Sequence, residues 1–157
     1  MIRLWKKVTA SPILRVVLLS SVLTAFGILI LWNHHRVNRD FRQLKALLTD
    51  ARCQAIGQQQ VLVVRFIGDT VSVTDNDSGA VIKTLDVPTL HQVNYDTTLG
   101  DDMIVFYDRG TGKYNKRVHG GDIRLKSWLG FKKNIVVRCT GFVMEGLYPE
   151  EGEDNAT

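Results

Sequence analysis

The sequence contains few of the residues that bind metals or perform catalysis: two cysteines and four histidines among 157 residues. There is no Cys-x-x-Cys motif and no histidine pair at helical ligand spacing, so we expect no metal site. No nucleophile elbow or other catalytic signature frames the serines. We therefore predict a non-enzymatic chain that has no cofactor.

Two short motifs resemble ligand loops but lack the residues that such loops require. The segment Asp75–Gly79 begins like a calcium loop, yet Ala80 and Asp86 stand where an EF-hand has its glycine and its last glutamate. We interpret it as a hairpin turn. The segment Gly110–Lys113 is rejected as a phosphate loop, because Tyr107 stands at the position of the motif's first glycine.

The longest apolar run of the chain extends from Ile13 to Trp32, and its single charge is Arg15. A helix of about 20 apolar residues spans a bilayer. A cleaved signal peptide is the competing interpretation, since the preceding segment is basic. However, the run exceeds the usual apolar core of about 7–15 residues, and no small-residue cleavage site follows it. We predict a transmembrane helix over residues 13–32, preceded by a basic cytoplasmic leader over residues 1–12.

The helical pattern continues beyond the apolar run, because no Gly or Pro separates Trp32 from Gly57. Apolar residues recur at spacings of three and four, which predicts an amphipathic helix over residues 33–60. The apolar stripe consists of Val37, Phe41, Leu44, Leu48, Ala51 and Ala55. The face expected to be solvated carries Arg39, Asp40, Arg42, Gln43, Lys45, Asp50 and Arg52. One continuous helix would be near 70 Å long at about 1.5 Å per residue.

Small residues form a stripe within the apolar run. Ser20, Thr24 and Gly27 follow one another at i, i+4 and i+7, so they lie on one face of a helix. Small side chains allow a second helix in the membrane to approach closely. The stripe predicts helix–helix packing, and incidental composition is the alternative.

From Val61 onward the hydrophobic period changes from helical to two, which is typical of strands. In Asp122–Trp128, Ile123 and Leu125 alternate with Arg124 and Lys126, so one face should be buried and the other solvated. Residues 61–148 are predicted to form a β-rich domain, and residues 149–157 an acidic tail. The strands are expected at Val61–Ile67, Thr70–Thr74, Ala80–Leu85, Thr89–Tyr95, Met103–Tyr107, Asp122–Trp128, Asn134–Cys139 and Phe142–Leu147. The predicted fold class is α+β, with a long amino-terminal helix packed on a small antiparallel sheet domain.

The net charge of +4 is unevenly distributed. Residues 1–66 carry +8 and residues 67–157 carry −4, so the basic excess lies near the membrane, where anionic lipid attracts it. Three basic residues precede the span, Arg15 lies near its start, and four basic residues follow it, so loop charge does not set the orientation. The short leader and the strand-rich domain favour a cytoplasmic amino terminus and a domain outside the cytoplasm.

The two cysteines, Cys53 and Cys139, leave two alternatives open. In an oxidising compartment they could join the helix to a late strand, and closing so long a loop would stabilise the fold by a few kcal/mol. Cys139 alternates with Ile135 and Val137 and should face the core, whereas Cys53 lies off the apolar stripe. Two reduced thiols are the alternative.

The chain resembles the type IV pilin-like proteins, and most of all the H-type minor pseudopilins of type II secretion and the FimT-like minor pilins. The resemblance covers about residues 40–145, and its motifs are short. It rests on the segments Leu44–Ile56, Gln58–Val63, Ile104–Phe106, Gly121–Leu125 and Ile135–Val143. It implies a bacterial inner-membrane protein with a periplasmic domain, whose partners are membrane lipid and other pilin-like subunits.

The leader departs from the pattern of that family. The family has Gly before its cleavage site and Glu at the fifth mature position, where the Glu helps filament assembly. Here Ala10 and Ser11 would flank the cut, and Arg15 would stand in place of the Glu. Arginine cannot pair with a neighbouring amino terminus and would extend to the cytoplasmic headgroups. We therefore expect no conventional cleavage, with an atypical filament contact as the alternative.

FimT-like relatives include proteins that bind DNA through a basic carboxyl end. This chain ends instead in the acidic segment Glu150–Asp154, which would repel phosphates, so we expect no nucleic-acid partner. The resemblance favours a minor pseudopilin-like subunit of a type II secretion or type IV pilus-like assembly. A single-pass protein with a periplasmic binding or sensory domain and no filament role is the alternative.

Overall fold

The computed structural model describes residues 12–96, 103–107, 113–114, 117–118, 120–138 and 140–148. The predicted leader with Ala10 and Ser11, the acidic tail, and Cys139 lie outside the described residues.

One helix, α1, extends from Pro12 to Gln58 without interruption. Its 47 residues give a length of about 70 Å at 1.5 Å per residue. The helix ends where Gln59 adopts a positive φ of 52°. The Gln60 N–H then donates to the Ala55 carbonyl at 3.1 Å, which satisfies a terminal acceptor in the manner of a Schellman cap.

The strands form two four-stranded antiparallel sheets and a small hairpin. The first sheet has the order β3-β2-β1-β5, the second has the order β10-β9-β8-β4, and β6 pairs with β7. The strand bounds are β1 Leu62–Ile67, β2 Thr70–Asp75, β3 Val81–Asp86, β4 Leu90–Asp96, β5 Met103–Phe106, β6 Lys113–Tyr114, β7 Arg117–Val118, β8 Gly120–Lys126, β9 Lys132–Val137 and β10 Val143–Gly146. The eight longer strands match the predicted ones to within a few residues. The two-residue strands β6 and β7 are too short to produce a period of two.

Tight turns connect β1 to β2, β2 to β3, β8 to β9 and β9 to β10. Each of these four turns contains a glycine with positive φ, a conformation that side chains with a Cβ rarely adopt. The glycines are Gly68, Gly79, Gly130 and Gly141. In the turn at Asp75, the carboxylate accepts hydrogen bonds from the N–H groups of Asp77 and Ser78, both at 3.3 Å. This geometry confirms the interpretation of the segment as a hairpin turn.

The second half of α1 packs on both sheets and completes the main hydrophobic core. All six residues of the predicted stripe are buried, and Leu47 joins them. The first sheet contributes Leu62, Val64, Val71, Val73, Ile104 and Phe106, and the second contributes Ile123, Leu125, Ile135 and Val137. The predicted α+β fold, with a long helix on an antiparallel sheet domain, is confirmed.

Strand β9 runs in the same direction as α1, and three ring contacts fix the alignment. The rings of His34 and Phe131 lie 5.1 Å apart, edge to face. Farther along the helix, Lys133 Nζ lies 5.1 Å from the Phe41 ring centroid. Farther still, the Arg52 guanidinium lies 4.2 Å from the ring of Phe142, just beyond β9. The start of β9 therefore lies at the end of the domain nearest the apolar half of α1.

Two charged residues that the sequence placed on solvated faces are buried. Asp40 is 1% exposed and Arg124 is 6% exposed. The prediction was wrong because each charge has a polar partner inside the domain. The Arg124 guanidinium donates to Gln92 Oε1 at 3.1 Å, and the contacts of Asp40 are described below.

The strained end of α1 gives a first prediction. Gln59→Gly should stabilise the protein by about 1 kcal/mol, because glycine adopts the left-handed conformation without a Cβ clash. The matched change Gln58→Gly, within the last helical turn, should destabilise it by about 0.5–1 kcal/mol. Urea unfolding of the full chain in detergent measures both. Equal effects of the two substitutions would contradict the assigned helix end.

Candidate assembly interface

The first half of α1 contributes no residue to the hydrophobic core of the described protein. Most of its apolar side chains are exposed from Pro12 to Trp32, with Ile13 at 74% and Leu31 at 70%, whereas Leu14, Leu29 and Ile30 are partly exposed. None of this apolar stretch is buried within the protein. Its 21 residues are about 31 Å long at 1.5 Å per residue, close to the ~30 Å of a bilayer's hydrocarbon core. In length and composition the segment therefore meets the requirements of a membrane span.

The helix changes from bare to packed around the end of the apolar run. Trp32 is exposed, whereas Asn33 is 1% exposed and donates to the Leu29 carbonyl at 3.0 Å. The Arg36 guanidinium lies 5.4 Å from the Trp32 ring centroid. A tryptophan beside a cation is typical of the interface between hydrocarbon and headgroups. The boundary of the domain thus coincides with the end of the apolar segment.

The predicted stripe of Ser20, Thr24 and Gly27 lies on the bare segment. Both hydroxyls are satisfied within the helix: Ser20 Oγ donates to the Val17 carbonyl at 2.9 Å, and Thr24 Oγ1 donates to the Ser20 carbonyl at 2.8 Å. No atom lies within 4 Å of where a Cβ on Gly27 would stand. If a helix packs here, the stripe acts through its small volume and not through hydrogen bonds.

Asp40 connects the packed half of the helix to the turn that leads into β4 of the second sheet. Its side chain is fully buried and its Oδ2 accepts a hydrogen bond from Thr89 Oγ1 at 2.9 Å. Its Oδ1 accepts from Arg39 Nε at 3.2 Å and Nη2 at 3.1 Å. Thr89 is itself held, because its carbonyl accepts from the Lys126 N–H at 2.8 Å. Removing one partner of such a buried, charged hydrogen bond is costly, so this contact holds the domain at one position along the helix.

The position of Asp40 carries a signal that sequence reasoning missed. Asn33, Val37, Asp40, Leu44, Leu47 and Ala51 are separated by spacings of four and three, and all six are buried. This is the seam along which a helix contacts its partner. A charged residue within a 3–4 seam could have been read as a buried polar contact.

A second helix–sheet contact lies on the domain surface. Lys133 forms an ion pair with its β10 neighbour Glu145 and also lies over the ring of Phe41. The hydrogen bond from Lys133 lowers the pKa of Glu145, partial burial opposes this, and the charges of Lys133 and Lys45 lower the pKa further. A lowered pKa adds stability above the unfolded-state value that is lost as pH falls through the folded-state value. Because both side chains are partly exposed, the pair is worth only about 0.2–1 kcal/mol.

The other predicted site residues are not brought together. Arg15 lies in the first turn of the described helix and is exposed. Cys53 is an exposed, free thiol, and since Cys139 lies outside the described residues, the disulfide stays a prediction. Within the part of the chain that the structure describes, no group of His, Cys, Asp and Glu side chains could hold a metal ion.

The Asp40 contact gives a second prediction. Thr89→Val should destabilise the protein by about 1–3 kcal/mol, because it leaves a buried carboxylate oxygen without its donor. The control is Thr70→Val, which removes the exposed hydrogen bond from Thr70 Oγ1 to Asp86 Oδ1 at 3.1 Å and should change stability by less than about 0.5 kcal/mol. Urea unfolding of the full chain in detergent compares the two. Equal losses would contradict a special role for the buried contact.

Comparison with known proteins identifies the type of fold. No family model and no curated protein matches the sequence. The structure is similar to crystal structures of the type IV minor pilin FimU of Pseudomonas aeruginosa in two crystal forms. In the first form the TM-score is 0.53 at 15% sequence identity, and the match covers 72% of this chain and 90% of that one. In the second the TM-score is 0.48 at 16% identity, covering 70% and 92%. A long amino-terminal helix packed on a two-sheet antiparallel domain is thus a pilin-like fold.

Proposed function

We propose that this chain is a non-enzymatic subunit of a pilus or pseudopilus, anchored in the membrane by the first half of α1. The observation that carries the proposal is the division of one unbroken helix into an exposed apolar half and a half that holds the domain. Such a helix can leave the bilayer and pack into a bundle of like helices without refolding, because all its backbone hydrogen bonds are internal.

The small-residue stripe supports helix packing as the means of assembly. It lies in the exposed half, which has no partner helix within the described chain, and its hydroxyls already bond to their own backbone. Close approach of a neighbour at Ser20, Thr24 and Gly27 therefore exposes no unsatisfied polar group. The sheet domain would contact neighbouring subunits beyond the membrane.

The sequence resemblance supports a more specific proposal for the type of subunit. The segment Leu44–Ile56, with its direct entry into β1, favours a minor pseudopilin of the H type or a FimT-like minor pilin. The domain organisation we propose is a cytoplasmic leader, a span over residues 13–32, a packed helix over residues 33–60 and a periplasmic domain over residues 61–148. Membrane lipid and other pilin-like subunits are the proposed partners.

Arg15 supports a second candidate function. It stands where the resembling family has the assembly glutamate, and Ala10 and Ser11 would flank the cut. A chain that keeps its leader would stay a single-pass anchor, and its domain would be a periplasmic binding or sensory module without a filament role. The amino terminus of the mature protein separates the two functions.

The third prediction tests assembly through the stripe. Gly27→Leu should lower copurification of pilin-like subunits with the tagged full chain by about tenfold, because a large side chain separates the helices. Mass spectrometry of the complex from solubilised membranes identifies and quantifies the partners. The control Val22→Leu enlarges an exposed residue on the opposite helix face and should leave copurification unchanged.

The same preparation reports the amino terminus. A methylated residue 11 supports a filament subunit, whereas an intact leader together with loss of all pilin-like partners supports the periplasmic module. Equal copurification of the Gly27→Leu and Val22→Leu proteins would rule out packing through the stripe.

A further inference from the structure

The turn between β8 and β9 presents a large aromatic side chain that the core does not use. Trp128 is 69% exposed. The turn itself is closed: the Ser127 N–H donates to the Phe131 carbonyl at 2.9 Å, and the Gly130 N–H donates to the Ser127 carbonyl at 3.0 Å. Ser127 Oγ also accepts from the Phe131 N–H at 3.2 Å. Trp128 is therefore held at the tip of an ordered hairpin.

The alignment of β9 with α1 places this turn next to the apolar half of the helix. Phe131, which follows the turn directly, contacts His34, and β9 then runs away from that end. The turn residues 128–130 precede Phe131, and a chain can extend about 3.3 Å per residue. His34 is itself only two positions, or about 3 Å, from Trp32 at the end of the bare segment. The turn that carries Trp128 therefore lies toward the Trp32 end of the domain.

A basic cleft lies on the helix beside Trp32. It has a volume of about 390 Å³ and is lined by Trp32, His35, Arg36 and Arg39. None of these lining residues is acidic. The neighbouring carboxylate of Asp40 is fully buried, and it already accepts hydrogen bonds from Arg39 and Thr89. The cleft therefore presents cationic and aromatic groups at the end of the apolar segment.

We propose that the β8–β9 turn and this cleft form a second membrane contact, specific for a surface of anionic lipid. Trp128 enters the interface beside the span, and Arg36 and Arg39 bind headgroup phosphates. Tryptophan prefers this depth because its ring is apolar and its N–H remains hydrated. A surface of negative charge complements the cleft, and the contact is continuous with the proposed span. The domain is then held at two points, which limits tilting of α1 relative to the membrane plane.

The proposal rests on the membrane anchoring proposed above, so the experiment reports on both. The full chain is placed in nanodiscs whose acyl chains are brominated, either with 30% phosphatidylglycerol or with phosphatidylcholine alone. Three single-tryptophan proteins are compared: Trp128 alone (Trp5→Phe, Trp32→Phe), Trp32 alone (Trp5→Phe, Trp128→Phe), and a tryptophan at the far end of β9 (all three replaced by Phe, with Phe142→Trp). Bromine quenching measures contact with lipid, and acrylamide quenching measures contact with water.

In anionic discs, Trp128 should be quenched by bromine at least about threefold more than the tryptophan at position 142, because it lies at the interface. Arg36→Gln should lower this quenching, whereas Arg138→Gln, at the far end of β9, should not. Acrylamide quenching of Trp128 equal to that at position 142 would overturn the contact. So would protection from both quenchers, which would indicate a protein neighbour instead.

Equal bromine quenching of Trp128 in both kinds of disc would overturn the role of the arginines. The Trp32 protein tests the anchor separately. If Trp32 is quenched by bromine and Trp128 is not, the second contact fails while the anchor stands. If neither is quenched, the proposed anchoring fails.

Discussion

The structure depends on the unbroken backbone of α1 across the boundary between Trp32 and Asn33. A helix fixes both rotation and rise, at about 100° and 1.5 Å per residue, so the two halves cannot be adjusted independently. The face that packs on the sheets sets which face of the apolar half would meet a neighbouring subunit. The height of the domain above a membrane would be set in the same way, because the first buried residue, Asn33, directly follows the end of the apolar run at Trp32. In one continuous helix, the number of residues between two positions thus determines their relative height and rotation.

Apolar packing alone would not fix that position. The buried seam of α1 repeats at spacings of three and four, so a shift of the sheets by one helical turn would again bring apolar residues together. Asp40 breaks this equivalence, because only the observed alignment pairs its carboxylate with Thr89. Any other alignment would leave the buried Oδ2 of Asp40 without the Thr89 donor, which costs about 1–3 kcal/mol. The seam supplies the free energy of packing, and Asp40 selects the register.

Much of this fold could be predicted from the sequence, because its signals are local. The stripe from Val37 to Ala55, the change of period at Val61 and the turn glycines each require only neighbouring residues. Two kinds of feature could not be predicted from the sequence. Asp40 and Arg124 were assigned to solvent because burial of a charge depends on a partner far along the chain, here Thr89 and Gln92. The pairing of β1 with β5 and of β4 with β8 likewise joins strands that are distant in sequence.

In the apolar half of α1, polar groups and shape again have different roles. Its serine and threonine hydroxyls bond to their own backbone, so they contribute no attraction between helices. Arg15 cannot supply the carboxylate that the resembling family uses to pair with a neighbour's amino terminus. In the proposed assembly, association through this helix would depend on shape at Gly27 and on how the domain is held above the membrane. A domain held both through Asp40 and at the headgroups would limit the tilt of its span, which reduces the entropy lost when a neighbouring helix packs against it.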